Sequence, residues 1–120
     1  MSNSPHVLVV DDQAEICELI RERLAGDGYR VSSAVNGRSA LKLLQIERFD
    51  VAIVDALLPH GVSGRKVAEE AALAGTSVIM ITGSVTMRDQ LEGSPFRVLM
   101  KPFRLSELAA AIRELRSPPA

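Results

Sequence analysis

Hydrophobic residues gather in short runs along this chain, and polar residues separate them. HVLVV (6–10), VAIV (51–54), SVIMIT (77–82) and FRVLM (96–100) are rich in Val, Ile and Leu and show little polar alternation. Runs of this kind fit strands buried on both faces of a sheet. Tyr29 to Val35 alternates weakly and reads as a further, more exposed strand. Between the runs, apolar residues recur at helical spacing. Ile16, Leu19, Ile20 and Leu24 form one such stripe, with Gly26 and Gly28 as stop signals. Gly37 opens a second helix with Ala40, Leu41 and Leu44 on one face. After a Pro59 to Gly64 turn, an Ala-rich helix is expected over about 65–74, closed by Gly75. A short helix over about 85–92 ends at Gly93-Ser94-Pro95. Leu105, Leu108, Ala109, Ile112 and Leu115 mark the last helix. MSNSP is a polar lead-in, and the SPPA tail cannot continue a helix.

Five strand signals alternating with five helix signals imply an α/β fold: a parallel sheet, doubly wound, with helices on both faces. No internal repeat, low-complexity segment or linker interrupts the series. One domain is expected to fill residues 1–120, with its core at about 6–116 and no output domain.

Composition narrows the function classes. A chain of 120 residues, 47% hydrophobic and 24% charged, supports one sizeable core and argues against disorder. The formal net charge is -1, so no basic excess supports direct nucleic-acid binding. Cys17, the single cysteine, lies in an apolar helical pattern and reads as a small core residue. No stretch reaches the ~18 continuous apolar residues of a membrane span, and the N-terminus lacks a signal-peptide core. The expectation is a cytoplasmic protein that does not contact the membrane.

The chemistry collects at strand ends. In a parallel sheet every strand points the same way, and ligands bind beyond the carboxyl ends at the switch point of strand order. The first strand runs into Asp11-Asp12, the third ends in Asp55, the fourth in Thr82 and the fifth in Lys101. Taken singly, an Asp here would be a cap or turn residue, a Thr a good strand former and a Lys a solvated charge. Taken together, they meet at one edge. Two carboxylates ~4 Å apart repel by about 4 kcal/mol at an effective dielectric of 20. A hard divalent cation bound by oxygen, Mg²⁺ above all, relieves that repulsion, and Lys101 adds a second positive charge. Asp55 would then remain ionised and nucleophilic, with the cation, Lys101 and the Thr82 hydroxyl around an incoming phosphoryl group. Gly83 is expected to leave the site open. His60 reads as a solvated loop residue, and with only His6 besides it there is no histidine-rich metal site.

VLVVDD, VAIVD with Pro59 four residues on, SVIMITG and LMKPF fall in an order that resembles the receiver domain of bacterial two-component response regulators. The resemblance covers essentially the whole chain. It implies a flavodoxin-like fold with strand order 2-1-3-4-5. It implies that Asp55 is phosphorylated from a phosphohistidine on a sensor histidine kinase or phosphotransfer protein. Asp11, Asp12, Asp55 and the backbone carbonyl of Leu57 would hold Mg²⁺. Thr82 would turn toward the phosphoryl group, Lys101 would pair with it, and the Lys101-Pro102 bond would be cis. Leu57 and Ser84 match positions that border the phosphoryl group. Such a module catalyses only its own phosphorylation and dephosphorylation. It passes the change to a protein target through the loops at 56–64 and 83–86 and the face of the fourth helix, fifth strand and fifth helix.

Three departures stand out. Val98 occupies a position where the family usually has an aromatic that swings inward, and a Val is stiff and short. The span from Thr82 to Lys101 is shorter than usual, which abbreviates the fourth helix or its exit. The loop after Asp55 reaches Gly64 about one residue late. Phe96 shares a strand face with Val98 and either replaces the aromatic or packs under the short helix. Two rivals follow. A haloacid-dehalogenase-like phosphatase uses Asp, Thr, Lys and Mg²⁺, but places its nucleophile in a D-x-D pattern on the first strand, where this chain reads DDQ. A pseudo-receiver would bind a partner without phosphorylation, a reading that Val98 favours and the complete site residues oppose.

Overall fold

Every residue of HVLVV and VAIVD is buried, and so is all but the first residue of SVIMIT. That burial fixes the middle of the sheet in the computed structural model, which describes residues 4–116. The strands are β1 (His6–Val10), β2 (Arg30–Ala34), β3 (Val51–Asp55), β4 (Ser77–Thr82) and β5 (Arg97–Met100). The helices are α1 (Ala14–Gly26), α2 (Gly37–Ile46), α3 (Gly64–Leu73), α4 (Val85–Leu91) and α5 (Leu105–Arg116). All pairings are parallel and the order is β2-β1-β3-β4-β5, as the resemblance implied. The MSN of the lead-in and the SPPA tail lie outside the described residues.

The period-two geometry of strands divides the core into two layers. Val7, Val9, Val51, Ile53, Ile79 and Ile81 point to one face, where Cys17, Ile20 and Leu24 of α1 and Leu108 and Ile112 of α5 cover them. Leu8, Val10, Ala52, Val54, Val78 and Met80 point to the other, against Ala40, Val67, Ala71 and Leu91 of α2, α3 and α4. Two-sided burial explains the absence of polar alternation. Edge strand β2 is the mixed case, exposed at Arg30 and buried only at Ala34.

Most helix boundaries fall within a residue of expectation, and local chemistry explains them. The side chains of Asn36, Ser63 and Ser84 accept from the N–H groups of Ser39, Lys66 and Met87, capping α2, α3 and α4. Two readings need correction. Leu19 was expected on the apolar stripe of α1, but it is exposed, and Cys17 joins Ile20 and Leu24 on the buried face. Helical rotation decides this, since 17, 20 and 24 share a side from which 19 is turned away. Phe96 was expected to open the last strand. That strand begins at Arg97, and Phe96 belongs to the turn before it, where its N–H reaches Ser94 Oγ at 3.4 Å.

Candidate functional site

Sheet hydrogen bonds fix the strand ends against each other. The N–H of Asp11 donates to Ala34 O at 3.1 Å, that of Ala56 to Ile81 O at 2.8 Å, and that of Lys101 to Thr82 O at 2.8 Å. Register sets Val10 beside Val54 and Thr82 beside Met100. Asp11, Asp12, Asp55, Thr82 and Lys101 therefore meet at one edge, as the sequence predicted. One carboxylate oxygen from each of Asp11, Asp12 and Asp55 lies within 4.8 Å of the others. Asp11, Asp55 and Thr82 are buried, while Asp12 is exposed.

Lys101 is the cation of the group. Its Nζ donates to Asp55 Oδ2 at 2.9 Å and stands 3.5 Å from Asp11 Oδ2. The other Asp55 oxygen, Oδ1, accepts the N–H of Leu57 at 2.9 Å. Asp11 Oδ1 accepts the N–H of Gln13 at 2.8 Å. Thr82 Oγ1 accepts the N–H of Ser84 at 3.0 Å and keeps an O–H to donate. The Lys101-Pro102 bond is cis. These contacts leave each buried carboxylate with a partner.

Burial pushes the Asp11 carboxyl above its ordinary value. The Gln13 N–H and the Lys101 charge pull it back, and the Asp55 charge adds to the rise. Burial alone would lower the Lys101 ammonium. The hydrogen bond and charge of Asp55, with Asp11 behind it, outweigh that and hold it above the usual lysine value. Lys101 is therefore charged at neutral pH, and the site carries more negative than positive charge.

The donor set fits a small hard cation. Mg²⁺–oxygen bonds of about 2.1 Å put ligands on opposite sides about 4.2 Å apart. Three carboxylate oxygens within 4.8 Å need only a slight adjustment to share it.

Several contributors carried no sequence signal of their own. Backbone donors from Leu57, Gln13 and Ser84 are invisible in residue type. Gly64 read only as the end of a turn, yet a Cβ there would lie 2.1 Å from the Asp55 carbonyl oxygen. Gly83 was expected to keep the site open. A Cβ there would meet only Lys101 Cβ at 3.7 Å, an ordinary contact, so openness does not depend on that glycine. His60 is exposed, with φ at 62°. Phe96 and Val98 are both partly buried and pack beside Met87 and Leu91 on the same core layer. Phe96 thus packs under the short α4.

The family model for the response regulator receiver domain matches residues 7–113. The regulatory protein VanR of Enterococcus faecium is 32% identical over 114 residues, covering 92% of this chain and 49% of that protein. The probable transcriptional regulator ycf27 of Cyanophora paradoxa is 32% identical over 117 residues, covering 94% of this chain and 48% of that protein. The chain thus spans about half the length of the curated relatives it matches. Among solved structures, the response regulator TrrA of Thermotoga maritima, in complex with Mg²⁺-BeF, superimposes with a TM-score of 0.82. It is 32% identical, and the match covers 92% of this chain and 98% of that one. The chain belongs to the response regulator receiver domain family.

Proposed function

We propose that this receiver domain, formed by residues of about 6–116, takes a phosphoryl group onto Asp55 from a phosphohistidine of a sensor histidine kinase or phosphotransfer protein. The N–P bond of the donor breaks, an O–P bond forms at Asp55, and the imidazole recovers a proton. The arrangement supporting this is the buried Asp55 carboxylate held 2.9 Å from Lys101 Nζ, with Asp11 and Asp12 beside it.

Asp11, Asp12, Asp55 and the backbone carbonyl of Leu57 would hold Mg²⁺, which supplies positive charge to the transferring phosphoryl oxygens. The residues of the chain do the rest. The Leu57 N–H and Lys101 hold the Asp55 carboxylate in one orientation for in-line attack. Lys101, already charged, turns from the Asp55 oxygen to the oxygens of the phosphoryl group. Thr82 gives up the Ser84 N–H and donates its hydroxyl to the same group. The new aspartyl phosphate carries about -1.5 to -2 of charge where the carboxylate carried -1, next to Asp11 and Asp12. That change biases the loops at 56–64 and 83–86 and the α4-β5-α5 face toward a second arrangement, which a downstream protein reads. The only chemistry catalysed is the domain's own phosphorylation and dephosphorylation. Such kinases would place the domain in the cytoplasm; no helix among the described residues is long and apolar enough to cross a membrane. The longer relative from Cyanophora paradoxa is named a probable transcriptional regulator; a protein target is the reading for this chain.

Acetyl phosphate with Mg²⁺ should give a base-labile adduct of one phosphoryl group per chain. Asp55→Asn and chelation should each abolish it. An adduct that survives Asp55→Asn unchanged, or no adduct in the wild type, overturns the proposal.

A further inference from the structure

We propose that the loop at 57–63 and the first turn of α2 form a second surface that responds to phosphorylation, driven through the backbone contact of Val62 with Gly37. The proposal rests on Asp55 being the acceptor. It adds an output path toward the β2 edge of the sheet, at the other end of the face that α2, α3 and α4 share.

The loop is fastened to Asp55 at both ends. At its start the Leu57 N–H holds Asp55 Oδ1 at 2.9 Å. At its end Gly64 sits so close to the Asp55 carbonyl oxygen that an added Cβ would lie at 2.1 Å. Between these points the chain must turn sharply. His60 and Gly61 take φ of 62° and 72°, successive left-handed residues. For a residue with a Cβ such as His60 that conformation is unfavourable, so the turn is held in place rather than preferred.

The loop then presses on α2. A Cβ at Gly37 would lie 2.4 Å from Val62 O and 2.8 Å from Val62 Cβ. The nearest atoms are the Val62 backbone and its Cβ, none of which a rotamer change moves, so nothing flexible at this point absorbs a shift. Gly37 is also the first residue of a capped helix, in which Asn36 Oδ1 accepts from Ser39 N at 2.8 Å and Asn36 O from Ala40 N at 3.2 Å. Movement of Val62 must therefore reach the cap. Phosphorylation turns the Asp55 carboxylate at one fastening point into an acyl phosphate and adds negative charge there. The Leu57 end of the loop has to readjust, and the crowding at Gly64 leaves the displacement only the Val62 direction. The affected surface is accessible. Val35 is 47% exposed, and a groove of about 410 Å³ runs between Val35, Asn36 and Arg38 and the loop residues Pro59, His60 and Val62.

Amide hydrogen exchange and amide chemical shifts of the protein with Mg²⁺, before and after adding beryllium fluoride, test the idea. Exchange at Ser39 and Ala40 should change by at least ~threefold, along with shifts at Ala56, Leu57 and Gly83. In Gly37→Ala, the added methyl separates Val62 from the helix. The site shifts should persist while the Ser39 and Ala40 response falls to less than about half. If Gly37→Ala does not fold, Val62→Gly, which removes the Cβ that faces Gly37 and loosens the loop backbone, should weaken the response in the same direction. Site shifts without a change at Ser39 and Ala40 overturn this inference alone, as does an undiminished response in the variant that folds. No shift anywhere, Ala56 and Gly83 included, overturns the acceptor reading itself.

Discussion

On the β3 side of Asp55, a Cβ at Gly64 would lie 2.1 Å from one backbone oxygen and a Cβ at Gly37 2.4 Å from another. On the β4 and β5 side, a Cβ at Gly83 would meet one side-chain carbon at 3.7 Å. Beyond it Val98 stands where the family places an aromatic, and α4 runs only from Val85 to Leu91. A groove of about 450 Å³ opens over Leu91, Phe96 and Val98. The same acceptor thus borders a close-packed side and a slack one. Close-packed interiors pass a displacement on, because no empty volume takes it up. Slack absorbs it in side-chain motion. The difference favours the loop and α2 as a tighter second path beside the one along β5.

The largest effect should come from filling the tightest point. Gly64→Ala sets a methyl into the Asp55 carbonyl, and neither partner is a flexible side chain. A loss of about 3 kcal/mol or more is expected in urea unfolding. A loss below about 1 kcal/mol would show that the β3 side gives way easily and would remove the contrast.

Next in size is the charge at the site. In metal-free protein, Asp11→Asn should stabilise the fold by about 1 kcal/mol at pH 7. Asn keeps an acceptor for the Gln13 N–H, and Lys101 keeps Asp55. The sign follows from the raised Asp11 carboxyl. The folded state holds that proton more tightly than the unfolded chain, whose value is near 3.8. The favourable contribution is present below that pH and is lost as pH rises through the folded value. The variant's advantage should therefore shrink as melts are taken toward pH 4, and Mg²⁺ should stabilise the wild type more than the variant. An advantage that grows on acidification contradicts this account of Asp11.

How the sequence relates to these two sides explains what could be read from it. Asp11, Asp12, Asp55, Thr82 and Lys101 were legible because strand direction alone brings strand-terminal residues to one edge. The strands were legible because two-sided burial leaves unbroken apolar runs. The tight side was not. Gly37 read as a helix start, correctly, and Gly64 as the end of a turn, where it is in fact the first residue of α3, but each is also required by a residue 25 or 9 positions away, as Val62 and Asp55 stand in the chain. No local pattern encodes a partner at such a distance. Leu19 misled for a related reason. A stripe of apolar letters does not record which of them the sheet will cover, and the smaller Cys17 was covered instead.

A milder test lies on the slack side. Val98→Phe restores bulk where the family has an aromatic. Because Val98 is only partly buried and borders the groove, the cost should stay below about 1 kcal/mol, whereas core overpacking usually costs about 1–3. Chemical denaturation measures it. A loss beyond about 2 kcal/mol would mean that α4 closes firmly over β5 and that the groove is not usable volume.

The smallest effect is expected at Gly83, and it is the control for all the others. Gly83→Ala adds the same methyl as Gly64→Ala, on the opposite side of the acceptor, in a segment that also follows a strand end. No left-handed φ constrains it, and its nearest new contact, Lys101 Cβ at 3.7 Å, is ordinary. Loss of backbone freedom in the unfolded chain favours alanine by about 0.4–1 kcal/mol at such positions, offsetting any crowding. Stability should change by no more than about 0.5 kcal/mol, and the yield of Asp55 adduct with acetyl phosphate should stay within about twofold. If Gly83→Ala were as damaging as Gly64→Ala, both sides of Asp55 would be equally tight, and the case for a route through α2 would lose the asymmetry it rests on.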